Sequence, residues 1–240
     1  MQPDEARARL LALGFDEEAA GVLFAHFADA EARGKLGHGF SRIEWLETLP
    51  GVRPEARPEK VSASLGFDRW EGRGALGYLT LAAVCADLVA NPPDPARVVA
   101  AADCFPTGML GHYVRRLAEA GLVALLTATS PARLSHPEGG PPLVGTNPLA
   151  IGIPAAEGPP VVVDVSMGKV TYGDVLAGLA DAADLVPFGG EQAHKAFALA
   201  LGLQLVVESQ VGDGYGAVLV ALRGERADLE RFAGARLPGR

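Results

Sequence analysis

The middle of this 240-residue chain alternates between short apolar runs and a longer segment with a helical period. Residues 98–102 and 122–129 have the composition of buried strands, whereas residues 108–120 carry their charged side chains on one face of a predicted helix. The apolar face of a sheet must be covered by another layer, so this alternation is typical of helices packed on a sheet. We therefore predict an α/β fold.

The remaining segments fit the same scheme. Helices are predicted for residues 4–34, 41–49, 78–90 and 195–209, strands for 61–67, 160–165 and 216–222, and weak helix for 166–184. The valine run at 160–165 is expected to be a fully buried strand. We predict an N-terminal helical segment, residues 1–58, and an α/β core, residues 59–240, that together form one integrated unit.

The composition narrows the class of protein. A hydrophobic fraction of 49% with 21% charged residues is ordinary for a soluble globular protein, and the net charge of −8 argues against a nucleic-acid partner. No apolar run approaches the ~18 residues of a membrane span, and no histidines have metal-ligand spacing. Cys85 and Cys104 are predicted to be buried free thiols. We expect a cytoplasmic protein with no membrane or metal partner.

A histidine between two glycines, His38, directly precedes the predicted helix 41–49. We expect its side chain to be accessible, with the Ser41 hydroxyl capping the helix. Arg42 then lies in the first turn, where a cation opposes the helix dipole and a bound anion offsets that cost. The alternative is a solvated loop in which His38 has no chemical role. A second histidine, His26, falls near an apolar helical face and is predicted to be packed in the core.

The segment from Gly145 to Pro154 combines glycines, polar residues and two prolines ahead of an apolar strand. Proline cannot donate to a sheet ladder, and a stiff loop that presents polar groups suits ligand contact. Asp164 ends the next apolar run, where a buried carboxylate needs a partner. It either caps a following turn or binds a hydroxylated ligand. The letters G-x-G-x-x-G at residues 72–77 lack the flanking strand and acidic residue of a Rossmann site.

Six segments, in the same order, match motifs of one family. They are 34–42 (G-x-x-S-H-G-x-x-R), 72–77 (D-G-x-x-x-L-G), 108–122 (the helix after S-x-H-x-G), 145–150 (G-T-N-P-L-A), 163–173 (D-M-A-T-S-x-x-x-x-G-K) and 187–190 (P-x-G-G-x-K-G). Together they span about residues 5–222. The chain thus resembles a shortened, divergent member of the malate/L-lactate dehydrogenase family of the non-Rossmann kind. This family includes ureidoglycolate and sulfolactate dehydrogenases and Δ1-piperideine-2-carboxylate reductases.

The resemblance implies a largely antiparallel mixed sheet flanked by helices, a homodimer with its active site between subunits, and NADP or NAD as cofactor. His38 would be the proton donor and acceptor, and Arg42 would hold the carboxylate of a small substrate. The other implied substrate-binding residues are Thr146, Asn147 and His112. The implied cofactor-binding residues are Gly145, Pro148, Asp164, Gly189, Gly190 and Gln192.

The chain departs from the family at several places. Pro106 stands where the family has a second active-site histidine, and Met167 and Gly168 replace a threonine and a serine. Gln192 replaces a lysine, and a longer family segment between Gly173 and Pro187 is missing. The residues implied to bind the substrate therefore match the family pattern better than those implied to bind the cofactor.

Three functions follow from this pattern. The first is an NAD(P)H-dependent reductase of a 2-oxo acid or a cyclic 2-imino acid. The second is a non-redox acid/base enzyme, such as an isomerase, cyclase or lyase, that has lost its cofactor. The third is a catalytically silent binding subunit. Turnover with and without cofactor distinguishes the first two, and loss of function on replacing His38 distinguishes both from the third.

Overall fold

Residues 1–239, as described by a computed structural model, are organised around one seven-stranded sheet in the order β1-β2-β3-β7-β4-β5-β6. The strands are β1 (Glu59–Ser64), β2 (Phe67–Glu71), β3 (Ala96–Ala102), β4 (Leu122–Ala128), β5 (Leu149–Ile153), β6 (Val161–Val165) and β7 (Gly216–Arg223). All neighbouring strands are antiparallel except β2 and β3, which are parallel. The predicted α/β fold with a largely antiparallel mixed sheet is confirmed.

Helices flank this sheet. They are α1 (Pro3–Ala12), α2 (Glu17–Ala32), α3 (Ser41–Thr48), α4 (Gly77–Ala90), α5 (Leu110–Glu119), α6 (Tyr172–Leu176) and α7 (Ala193–Val211), with 3-10 turns at Leu36–His38, Ala182–Asp184, Gly190–Gln192 and Glu230–Phe232. Among residues 1–239 no helix is both long and apolar enough to cross a membrane.

Three hydrophobic clusters hold these elements together. The largest joins α4 and α5 to the sheet and contains both cysteines, which are buried and free as predicted. A second joins α1, α2 and α3 to the start of α4 around the fully buried Leu23, Phe27 and Ile43. The third packs α7 on Leu134, Val144 and Met167. Because α4 takes part in two clusters, the N-terminal helices are fixed against the sheet.

Three local predictions differ from the structure in whole or in part. The strand expected at 61–67 is a hairpin, because the chain reverses at Gly66 (φ +78°) and β2 continues to Glu71. The weak helix expected at 166–184 is confirmed in part, since the segment contains α6 and one 3-10 turn, and residues 168–174 line the cavity described below. In strand β6 only Val162 is buried, because the strand forms one edge of the sheet.

Candidate active site

A cavity of about 600 Å³ lies where the N-terminal helices meet the sheet. Segments far apart in sequence form its wall. They are part of 35–49, Tyr78, 105–109, most of 128–133, Thr146, Pro148, 164–166 and 168–174. His38, Arg42, Thr146, Pro148 and Asp164 are the sequence-predicted site residues that the fold brings together here.

His38 ends the 3-10 turn before α3 and is half-buried, less accessible than predicted. The cause is close backbone packing, since a Cβ on Gly37 would collide with Asp174 and one on Gly173 would collide with Gly37. Burial and the positive charges of Arg42 and Lys35 lower the pKa of His38 to about 4, although Asp174 acts in the opposite direction. Without a ligand the imidazole is therefore neutral at neutral pH and can accept a proton.

Arg42 lies in the first turn of α3 and is only 7% exposed. Its guanidinium carbon stacks 3.8 Å above the centre of the Trp45 ring. Within residues 1–239 no carboxylate pairs with Arg42, and its buried Nε has no hydrogen-bond partner. A buried cation without an anionic partner is costly, so this guanidinium is suited to binding an anionic ligand.

The expected serine cap is absent in this helix. Phe40 occupies the cap position, and the Ser41 hydroxyl instead donates to the carbonyl of Leu36 at 2.8 Å. The bond ties α3 to the 3-10 turn that carries His38. The Ser41 prediction is wrong because the chain enters α3 directly from a tight turn rather than from an extended residue.

Only alternate residues of the central motif reach the cavity. Thr146 and Pro148 lie on its wall, whereas the fully buried Asn147 points away. The Asn147 amide donates to the carbonyl of Ala200 at 3.0 Å and to Gln204 Oε1 at 2.8 Å. Both amide donors are thus used by α7, which corrects the expectation that Asn147 contacts the substrate.

Gly145 is likewise outside the cavity wall. Its N–H donates to Gln204 Oε1 at 3.3 Å, and a Cβ there would lie 2.5 Å from Ser130 Oγ and Asn147 Oδ1. The glycine therefore allows the motif to approach the end of β4, and the expectation of a direct cofactor contact is not met. Gln204, which lies 57 residues from Asn147 in the sequence, holds the motif in place. No local sequence pattern indicated this role.

Asp164 is half-buried at the end of β6 and lies on the cavity wall. Its Oδ2 accepts a hydrogen bond from the Gly111 N–H at 2.7 Å, in the first turn of α5. Burial raises the pKa of Asp164 to about 6, although that hydrogen bond opposes the shift. The carboxylate thus holds a helix distant in sequence, not the following turn, while facing the same cavity as Arg42.

Replacing Asp164 with asparagine should raise the free energy of unfolding at pH 8 by on the order of 1–3 kcal/mol. The raised pKa means that the folded protein binds the proton more tightly than the unfolded chain does. The cost of the buried charge is therefore greatest above pH 6 and fades towards pH 4. Urea unfolding at pH 8 and pH 5 measures this difference. The same change at the exposed Asp213 should have an effect within about 0.5 kcal/mol, and destabilisation by Asp164→Asn at pH 8 would contradict the argument.

His112 does not lie on the cavity wall, contrary to the substrate-binding role expected for it. Its Nδ1 lies 2.9 Å from Asp29 Oδ2. Burial alone would raise the pKa of Asp29, but hydrogen bonds from His112 and Arg33 lower it to about 2. The Asp29 carboxylate thus holds the ring away from the cavity.

The ring of the buried His26 packs against His112, with the two ring centroids 4.8 Å apart. Its Nε2 accepts the N–H of Met109 at 3.0 Å, so this histidine supports the loop 105–109. The prediction of a packed core histidine is confirmed. Pro106, at the position of the expected second histidine, lies on the cavity wall but has no group for proton transfer.

The expected cofactor turn lines a second cavity of about 580 Å³. Gly189 and Gly190 belong to its wall, whereas Gln192 is exposed and lies outside both cavities, so a contact by Gln192 is not supported. Lys169 lies on both walls and pairs with Asp184 at 2.6 Å. The two cavities are therefore neighbours on either side of one lysine.

The sequence profile described as malate/L-lactate dehydrogenase matches residues 4–184, which is most of the chain. The chain belongs to this family. The Delta(1)-pyrroline-2-carboxylate/Delta(1)-piperideine-2-carboxylate reductase of Pseudomonas putida is 27% identical, with 92% of this chain and 77% of that protein aligned. The (2R)-3-sulfolactate dehydrogenase (NADP(+)) of Chromohalobacter salexigens is 32% identical over 71% of this chain and 52% of that protein. The chain thus spans about half the length of this sulfolactate dehydrogenase.

Comparison with a solved structure assigns the same fold to the chain. The delta1-piperideine-2-carboxylate reductase from Pseudomonas syringae pvar. tomato matches with a TM-score of 0.81 at 24% identity, over 99% of this chain and 89% of that one. The malate/L-lactate dehydrogenase fold is therefore kept almost throughout, although the sequences differ at three positions in four. The relatives named here are dehydrogenases or reductases, so the chain is a member of a dehydrogenase family.

Proposed function

We propose that this protein is an NADP- or NAD-dependent reductase of a small 2-oxo acid or cyclic 2-imino acid. The observation that carries the proposal is the unpaired, buried Arg42 beside the half-buried His38 in one cavity. An arginine fork matches a carboxylate, and a histidine whose pKa depends on that arginine is suited to move a proton next to it. The reductase and dehydrogenase names of the relatives support the same reaction class.

The cavity residues fit a nicotinamide beside the substrate. A volume of about 600 Å³ is in the range of small-molecule sites and exceeds the needs of a three- to six-carbon acid. Thr146 on this wall is half-buried and carries a hydroxyl that suits a carboxamide. When bound, a dihydronicotinamide supplies the hydride. Thr146 and Pro148, which line the same cavity as Arg42 and His38, would hold that ring.

The protein's own part in the reaction is to hold and protonate the substrate. A bound carboxylate neutralises the charge of Arg42, which is one cause of the low pKa of His38, so the pKa of the imidazole rises in the complex. The imidazolium can then donate its proton to the substrate oxygen or nitrogen as negative charge develops there. In the reverse direction the neutral ring accepts the same proton.

The proposal includes a homodimer. Helix α7 presents Leu199, Leu205 and Val206, each about half exposed, on its outer side. Large apolar side chains clustered on one helix favour association, because burying them removes apolar surface from water. Sedimentation of the purified chain tests this part separately.

Addition of NADPH or NADH should stabilise the protein against thermal unfolding. A cofactor at 100 times its dissociation constant adds about 2.7 kcal/mol to the free energy of unfolding. Differential scanning fluorimetry with NADPH, NADH and AMP as a control measures the shift and shows which nicotinamide is preferred. The redox proposal would be contradicted if NADPH, NADH and AMP gave the same thermal shift and neither NADPH nor NADH was oxidised in the presence of 2-oxo acids.

One observation favours the second function, a non-redox acid/base enzyme on the same scaffold. Gln192, which replaces the lysine of the cofactor turn, lies away from both cavities, whereas His38 and Arg42 remain together. This function predicts that a 2-imino acid is consumed at the same rate with and without nicotinamide cofactor. Chromatographic detection of the product in both conditions distinguishes the two proposals.

A further inference from the structure

An apolar wall adjoins the carboxylate-binding side of the cavity. It consists of Trp45, Leu49, Phe105 and Pro106, which line the cavity from α3, its C-terminal end and the loop before α5. The rings of Trp45 and Phe105 meet edge-on with centroids 6.4 Å apart, and Phe105 lies 4.9 Å from Tyr215. Trp45, Leu49 and Phe105 are only half-buried, so part of their apolar surface faces the cavity. A ligand that covers this surface gains hydrophobic free energy.

The wall begins at the proposed carboxylate anchor itself. The guanidinium carbon of Arg42 is 3.8 Å from the Trp45 ring centroid, so the cation and the aromatic face share one side of the cavity. In a 2-oxo or 2-imino acid the side chain begins two carbons from the carboxylate carbon. A ligand whose carboxylate meets Arg42 therefore has room to place its side chain against Trp45, Leu49 and Phe105.

A second acidic group on the ligand would lack a partner at this wall. None of the four residues of this wall is charged, and the other cations that line the cavity, Lys35, Lys169 and Arg133, come from other segments of the chain. Lys35 is exposed. Desolvating a carboxylate against apolar side chains without a cation is unfavourable.

We infer that the proposed reductase acts on 2-oxo or 2-imino acids whose side chain is an apolar ring, and that Trp45, Leu49 and Phe105 determine this specificity. The inference rests on the function proposed above and narrows its substrate class. It predicts that dicarboxylates bind more weakly, because no residue of this wall is a cation. Pro106 contributes by replacing a polar side chain of the family pattern with an apolar one on the same wall.

Titration calorimetry with phenylpyruvate and oxaloacetate, each with and without NADP⁺, tests this specificity directly. We expect phenylpyruvate to bind the unmodified protein roughly tenfold or more tightly than oxaloacetate, a ratio typical of a hydrophobic pocket. Phe105→Ala should weaken phenylpyruvate binding by about tenfold and leave oxaloacetate unchanged. Leu49→Arg should reverse the preference, because it adds a cation to the wall. Phe232→Ala, at an exposed phenylalanine outside both cavities, is the matched control and should change neither affinity.

Equal or tighter binding of oxaloacetate in both conditions, binding of neither acid, or an unchanged phenylpyruvate affinity in Phe105→Ala would overturn the inference. Failure of the proposed function has a different signature. In that case phenylpyruvate binds with the expected preference, yet the protein oxidises neither NADPH nor NADH in its presence. The calorimetric result and the absorbance of the dihydronicotinamide at 340 nm thus report on the two proposals separately.

Discussion

Replacement of His38 by alanine should lower kcat for 2-oxo acid reduction on the order of 10²-fold or more, the usual contribution of a positioned proton donor. The imidazole lies on the same cavity wall as Arg42. His112 is held by Asp29 outside that wall, and the buried ring of His26 accepts a hydrogen bond from the Met109 N–H. Among residues 1–239 no other histidine lines this cavity, so none is placed to take over. Steady-state oxidation of NADPH or NADH, whichever binds, measures the loss.

The pH dependence of the unmodified enzyme should carry the signature of His38. The low pKa of the free imidazole, about 4, means that kcat/KM for reduction falls as the pH rises through that value. The reverse oxidation needs the neutral ring, so its kcat/KM rises through the same pH and then levels off. In the complex the carboxylate offsets the charge of Arg42, so kcat for reduction should fall at a higher pH than kcat/KM does.

His194→Ala is the matched control for this prediction. His194 is exposed on α7 and lies outside both cavities, so its loss should leave kcat and both pH profiles unchanged. A His38→Ala enzyme that keeps most of its kcat would remove His38 from the reaction. A reduced kcat with an unaltered pH profile would assign His38 a role in positioning rather than proton transfer.

The sequence predicted the parts of this molecule that depend on local pattern. Helical periodicity located α2 and α5, and the glycines around His38 indicated a turn. In the structure the backbone of this turn packs closely against that of Gly173. Of the motif at 145–150, for which ligand contact stays a prediction, only Thr146 and Pro148 line the cavity. Alternation along an extended segment decides which residues face the cavity, and the motif letters alone do not give that direction.

Local patterns could not predict contacts between residues that lie far apart in the sequence. Trp45 stacks on Arg42 three residues away and could have been found from helical spacing, but Phe105 and Gln204 meet their partners only through the tertiary fold. The partner of Asp164 was missed for the same reason, since Gly111 lies 53 residues away. Burial and neighbouring charge set the pKa of His38, and neither is visible in the chain order.

Replacement of Arg42 by methionine should stabilise the ligand-free protein and at the same time nearly abolish substrate binding. The buried guanidinium has no anionic partner, so an unbranched apolar side chain at this site removes a desolvation cost on the order of 1 kcal/mol while still contacting Trp45. Loss of a bidentate, charge-assisted contact to a carboxylate costs about 1.5–3 kcal/mol per hydrogen bond, or roughly 10²-fold or more in affinity for the pair.

Urea unfolding of the ligand-free protein measures the change in stability, and calorimetry with phenylpyruvate measures the change in binding. Arg116→Met makes the same substitution at an exposed arginine outside both cavities, and it should change stability by less than about 0.5 kcal/mol and leave binding intact. Arg42→Lys should keep the charge but lose much of the affinity, because an ammonium group lacks the planar fork. A destabilised Arg42→Met protein would mean that the guanidinium serves the fold. Gain of stability with loss of binding would mean that the protein keeps this unpaired charge for its ligand, as is common for residues at functional sites.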